Sequence, residues 1–198
     1  MLASMQTLTA ILTILALAAS APTVPFVSEL WPGEGIPVLV AGARQLSLRR
    51  EPSARAPANR RLAVPIGGRV QFDQTRYQTV RSGLVMLQTA MELSGRNLGS
   101  LTYLAKDDYY SDKFPTESYG LQAGAKIEFL QYRAEGSCFM RLGKNVIEVN
   151  DCPDLADPRF RALSKAEVLW WVRVIVGGKP RGWALVDGRA LRESTREF

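Results

Sequence analysis

Residues Trp170-Trp171-Val172-Arg173-Val174-Ile175-Val176, then Gly177-Gly178-Lys179-Pro180-Arg181, then Gly182-Trp183-Ala184-Leu185-Val186 read as a strand, a glycine turn and a second strand. Bulky apolar and polar positions alternate in the first segment, the pattern of a half-buried strand. Gly182, just before Trp183, allows the backbone to bend or bulge where a small barrel turns its corner. Trp170 and Trp171 are adjacent, so on a strand they point to opposite faces. One of them enters the core, and the other lies outside it or under a loop.

Moving toward the N-terminus, Phe139-Met140-Arg141-Leu142, Gly143-Lys144-Asn145 and Val146-Ile147-Glu148-Val149 form a second hairpin signal. Cys138 and Cys152 bracket it. An even cysteine count in an exported chain points to one disulfide near the open end of the hairpin. Two buried free thiols are the other reading. A bridge over so short a loop would stabilise by about 3 kcal/mol in the chain-entropy model. Elsewhere Gly and Pro interrupt apolar alternation at short intervals, which indicates a mainly β chain of small sandwiches or barrels. Lys126-Ile127-Glu128-Phe129-Leu130, Leu84-Val85-Met86-Leu87, Tyr77-Gln78-Thr79-Val80 and Leu46-Ser47-Leu48-Arg49 are further strands. Residues 51–61 read as an exposed loop, 88–100 as a link, and 106–110 as a polar and aromatic loop.

The tail resembles bacterial SH3-like (SH3b) domains, in which a Trp-Val-x-Val strand, a Gly turn and a Gly-Trp strand close a small barrel. Trp171-Val172-Arg173-Val174, Gly178 and Gly182-Trp183-Ala184-Leu185-Val186 carry the likeness, and Ala123-Gly124-Ala125-Lys126-Ile127-Glu128-Phe129 is similar to the family's second strand. The cysteine hairpin is a departure from it. In the first half, Leu46-Ser47-Leu48-Arg49 with Pro52-Ser53 is similar to the family's opening pattern, and Gly67 to Phe72 parallels Ala123 to Phe129. A Gly-Trp closing strand is missing there. The resemblance implies an SH3-like barrel over 98–192, a degenerate SH3-like β domain over 21–97, and a tail at 193–198. One β domain with an N-terminal extension is the alternative.

From Leu8 to Ala21 the chain of 198 residues is free of charge, with an apolar run at Ile11 to Leu17 followed by Ala18-Ala19-Ser20-Ala21. This is the pattern of a secretory signal peptide over about residues 1–20; the run is short of the about 20 residues a membrane span needs. An uncleaved anchor is the competing reading. Periplasmic or secreted placement follows, with no membrane span once the signal is cleaved. The net charge of +6 then directs attention to anionic glycan, lipid headgroups or acidic protein surfaces, and away from nucleic acid; since the basic residues are scattered, ordinary solubility is the other reading.

The absence of histidine from the sequence removes Ser-His-Asp and Cys-His catalysis and His-ligated zinc. No phosphate-binding glycine loop is present. Neither a metal nor a cofactor is expected, and the chain reads as a binding protein and not an enzyme. Asp107, Asp108, Tyr109, Tyr110 and Trp170 are the candidate ligand-binding residues, because aromatic rings beside an acidic loop are how SH3-like grooves hold extended peptides. The same rings can instead fill a small core. A cell-wall peptide or glycan, or an exported protein, is the expected partner. The alternative is a structural or inhibitory protein acting by protein–protein contact.

Overall fold

A computed structural model describes residues 25–31, 33, 35–134, 136–150, 152–153 and 157–194. The expected signal segment lies outside the described residues, as does most of the tail. In chain order the strands are β1 (Phe26–Ser28), β2 (Leu39–Ala41), β3 (Gln45–Arg49), β4 (Ala58–Ala63), β5 (Arg69–Val70), β6 (Phe72–Arg81), β7 (Gly83–Leu87), β8 (Met91–Asn97) and β9 (Tyr103–Leu104). A one-turn helix, α1 (Lys106–Tyr109), follows. Then come β10 (Thr116–Leu121), β11 (Lys126–Tyr132), β12 (Cys138–Leu142), β13 (Asn145–Val149), β14 (Phe160–Ser164), β15 (Glu167–Val176), β16 (Lys179–Leu185) and β17 (Leu191–Glu193). The fold is mainly β, as its alternation requires.

The strands form three sheets, and among the described residues none closes into a barrel. The first sheet has the order β4-β3-β16-β15-β6-β1-β9, the second β10-β8-β13-β12-β11-β7-β14, and a small third β17-β2-β5. The quoted tail folds as the hairpin β15–β16, with Arg173 opposite Trp183 and Val176 opposite Lys179. Gly177 and Gly178 both take positive φ (57° and 72°), which a two-residue hairpin turn matching strand twist demands. The other side of β15 runs along β6, from Val168 opposite Thr79 to Val174 opposite Phe72. Strand β16 meets β3 at Trp183 and Arg49. Gly182 sits at φ 143°, and a Cβ there would stand 2.8 Å from the Arg49 carbonyl oxygen; only glycine fits this crossing. The pairing therefore joins strands from both sides of the expected 97/98 boundary.

The first and third sheets enclose one aliphatic core: Leu46, Leu48, Val172, Val174 and Ala184 face Leu39, Ala41, Val70 and Leu191. The second sheet wraps its own inner side chains, among them Leu87, Leu93, Ile127, Met140, Ile147 and Phe160. A third cluster joins β1 to that sheet's outer face through Phe26, Leu98, Leu104, Leu130, Phe139 and Val146. Alternation explains the division in β12, where Cys138 and Met140 face one cluster and Phe139 the other.

Three local expectations are corrected. The link expected at 88–100 contains strand β8. Its Gly95 permits close approach to β13, since a Cβ there would stand 2.6 Å from the Glu148 carbonyl oxygen. The loop expected at 51–61 ends at Ala58, where β4 begins; among the described residues this strand pairs only with β3, and an edge strand accommodates the Asn59-Arg60-Arg61 run that a central strand would exclude. The loop expected at 106–110 is mostly the helical turn α1. The cysteine hairpin is β12–β13, and Cys138 and Cys152 form a disulfide with Cα atoms 5.7 Å apart.

Candidate functional site

The aromatic and acidic stretch after β9 is held by β1 and by the second sheet. At the end of β1, Glu29 accepts hydrogen bonds from the Tyr103 hydroxyl and the Lys106 backbone N–H, and lies 3.6 Å from Arg76. These contacts fix where α1 starts. At its other end Tyr109 turns inward: its hydroxyl donates to Glu148 Oε1 (2.7 Å), and its carbonyl accepts from Arg96 Nη1 (2.8 Å). Arg96 Nη2 also donates to Glu148 Oε2 at 2.8 Å. The guanidinium carbons of Arg96 and Arg133 lie 4.2 Å and 4.5 Å from the centre of the Tyr109 ring, within cation–π range. Burial, then the hydrogen bond to Glu148, push the Tyr109 hydroxyl pKa up to about 12. Tyr109 is thus a part-buried clamp whose hydroxyl and carbonyl are already engaged.

Tyr110 does the opposite. It packs edge-on against Tyr109, with centroids 5.0 Å apart and planes at 86°, and remains 65% exposed. Together with Trp31, Leu30, Lys106 and Arg133 it lines a cleft of about 310 Å³. Trp31 is oriented by its indole N–H, which donates to the Gly35 carbonyl, and Lys106 Nζ lies 5.5 Å from the Trp31 ring centre. The cleft therefore joins two aromatic walls to an ammonium and a guanidinium. Lys106 has no acidic side chain within ion-pair distance among the described residues. Arg133 has one, Glu148, at 3.8 Å, and its Nε is buried without a hydrogen-bond partner. Such a surface favours an anionic group attached to a flat or ring-shaped body.

The remaining candidates lie apart from this cleft. Asp107 lines a neighbouring depression with Trp31, Lys106 and Asp73. Asp108 is engaged by Lys113. Trp170 is on the first sheet, packed on the aliphatic core, with its indole N–H donating to Thr75 Oγ1 at 2.7 Å. Its neighbour Trp171 is 1% exposed and lies on the opposite face, beneath Arg49, whose guanidinium carbon is 5.7 Å from the ring centre. Arg49 in turn donates to the carbonyls of Ala54 and Ala56, so this is the tryptophan under a loop.

Trp31, Arg96, Arg133 and Glu148 were not singled out by sequence reasoning. Glu148 carried a signal, being the one charge in the apolar run Val146 to Val149. Trp31 and Arg133 carried none, because their meeting with Tyr110 depends on the pairing of β1 with β9. The chain matches no family model, no curated protein and no solved structure.

Proposed function

We propose that the protein is an exported, non-catalytic binding module of the cell envelope, which holds an anionic portion of a cell-wall glycan or peptide in the cleft between Trp31 and Tyr110. One observation carries this reading: an exposed aromatic ring, a second ring facing the same cleft, and two cations converge there. Sugar or peptide faces stack on the rings, and a carboxylate or phosphate meets Lys106 and Arg133. Export is supported by the uncharged apolar run near the N-terminus and by the Cys138–Cys152 disulfide. Among the described residues no helix is long and apolar enough to cross a membrane.

The SH3-like resemblance takes a revised form in this proposal. The opening pattern at Leu46–Ser53 and the Trp-Val-x-Val and Gly-Trp strands belong to one interrupted unit, made of residues 39–81 and 167–193. Pairing of β15 with β6 and of β16 with β3 supports it. The first half lacks a Gly-Trp strand because the tail supplies it. Residues 82–166 are then an insertion that brings the ligand cleft to the end of the first sheet.

Retention of the purified protein on isolated cell-wall sacculi tests the binding reading. Wild type should sediment with sacculi, and Tyr110→Ala and Trp31→Ala should each lose most of that retention with unchanged circular dichroism. A wild-type protein that stays in solution, or a Tyr110→Ala, Lys106→Gln double variant retained as well as wild type, ends the proposal. Recovery of a single envelope protein in place of sacculi would favour action by protein–protein contact.

A further inference from the structure

The chain passes directly from one large sheet to the other at 82 and at 165–166, and a cavity of about 420 Å³ opens at this seam. That size falls in the range of small-molecule sites, roughly 300–1,000 Å³. Tyr77 and Val168 contribute one wall from the first sheet, and Val85, Phe129, Tyr132 and Phe160 the other from the second. Phe129 and Tyr132 pack with centroids 4.7 Å apart and planes tilted by 58°, and the Tyr132 hydroxyl donates to the Pro153 carbonyl at 3.0 Å. The lining is mostly apolar and comes from segments distant in sequence, so it is not the trivial gap inside a single hairpin.

Its polar groups divide into two kinds. Gln131 is already satisfied, donating to Ser28 Oγ at 2.6 Å and accepting from Thr79 Oγ1 at 3.2 Å. The Tyr77 hydroxyl has no hydrogen-bond partner among the described residues, and burial raises its pKa. At the mouth, Lys165 is exposed and has no acidic side chain within ion-pair distance among the described residues. The cavity therefore presents an aromatic interior, the Tyr77 hydroxyl, the Ser164 hydroxyl that accepts from the Leu84 N–H, and one exposed cation.

We infer that this seam cavity binds a single-chain anionic amphiphile, its hydrocarbon tail among Tyr77, Val85, Phe129 and Phe160 and its carboxylate at Lys165. Tail burial supplies most of the affinity. The head group supplies orientation, since a lone exposed cation contributes little by itself. Because both sheets line the cavity, a bound molecule ties them together and raises the melting temperature.

The test is calorimetric titration of the full chain with decanoate, decanol and decyltrimethylammonium as probes. Decanoate should bind, about fivefold more tightly than decanol, and should raise the melting temperature. Lys165→Glu should abolish the preference for decanoate and favour the ammonium probe. Ala162→Trp, at the exposed mouth of the cavity, should block all three with unchanged circular dichroism. Nuclear Overhauser contacts between decanoate and the Tyr77 and Phe129 rings locate the ligand even if that variant fails to fold. No binding of decanoate to wild type, equal binding to Ala162→Trp, undiminished decanoate preference in Lys165→Glu, or absence of those ring contacts would each overturn the inference.

Discussion

Apart from β9, which joins the first sheet, the strands between Gly83 and Ser164 form one sheet from one stretch of chain, whereas the sheets around Leu46, Val172 and Leu191 draw their other strands from the stretches on either side of it. Their charges differ as well. Residues 38–81 and 167–194 carry 14 Lys and Arg against 5 Asp and Glu, while residues 82–166 carry 10 against 11. The continuous region has the disulfide; the divided one relies on packing around its aliphatic core. Division need not cost the divided region much, because the first and last strands of the other region pair with each other, Leu84 opposite Ser164 and Leu87 opposite Phe160. The ends of the intervening segment are therefore already together, and the long loop acts as a short one in closure entropy. The whole basic excess of the protein sits on the divided region, whereas the cations of the cleft, Lys106 and Arg133, belong to the continuous one.

Trp171→Ala is the strongest way to break this comparison. The side chain is 1% exposed between β6, β16 and the Arg49 loop, so its loss should cost about 3–5 kcal/mol. Hydrogen exchange should show β3, β6, β15 and β16 losing protection while β12 and β13 keep theirs. Equal loss in all six strands would mean that the two regions unfold as one unit.

Removing the disulfide probes the continuous region. Cys138→Ser with Cys152→Ser releases a link across 14 residues and should cost about 3 kcal/mol, a fall of roughly 6–12 °C for a chain of this size. Protection should now fail first in β12 and β13. An unchanged melting temperature in excess reductant would refute the structural role of the bridge.

How much of this was legible in sequence depends on the range over which each feature is determined. The β15–β16 and β12–β13 hairpins were legible because their turn glycines and alternation are local. Strand β8 was missed because Gly95, read as a linker residue, is small for the sake of β13, far along the chain. The shared sheet was hidden for the same reason: nothing near Arg49 announces that its partner strand begins at Lys179. Of the two adjacent tyrosines expected to bind a ligand, Tyr110 is exposed at the cleft, while Tyr109 is a clamp. Which of two adjacent tyrosines faces inward is decided by Glu148, Arg96 and Arg133, which only the folded second sheet brings to it.

Tyr109→Phe measures that clamp. Loss of the hydroxyl bond to Glu148 should cost about 1–2 kcal/mol at neutral pH, with the cation–π contacts retained. The Tyr109 pKa is raised in the folded state to about 12, so the folded protein holds this proton more tightly than the unfolded chain. Its contribution is complete below the ordinary tyrosine value near 10 and is lost as pH rises toward 12. Tyr103 and Tyr119 are raised to about 12 as well. Wild-type stability should therefore fall over this alkaline window, and less steeply in Tyr109→Phe; identical slopes would remove Tyr109 from the account.

The smallest effect comes from the divided region's own ion pair. Arg173 donates from Nε and Nη2 to both carboxylate oxygens of Asp73, at 2.8 and 2.7 Å, across β15 and β6. The hydrogen bond from Arg173 is the largest cause of the lowered Asp73 pKa. A depressed carboxyl pKa stabilises above the unfolded value and is lost as pH falls through the folded one, so the contribution should be complete at neutral pH and fade below about pH 4. Both side chains are about a third exposed, and solvent and salt reduce the pair to about 0.5 kcal/mol. Asp73→Asn should thus shift the denaturation midpoint slightly at pH 7 and scarcely at pH 2. In a region with so few acids, the larger consequence is collective: acid removes Asp73, Glu167 and Asp187 from a surface already crowded with arginine, so the divided region should open before the disulfide-linked one as pH falls. The reverse order of opening would show that charge imbalance does not set the difference between the two regions.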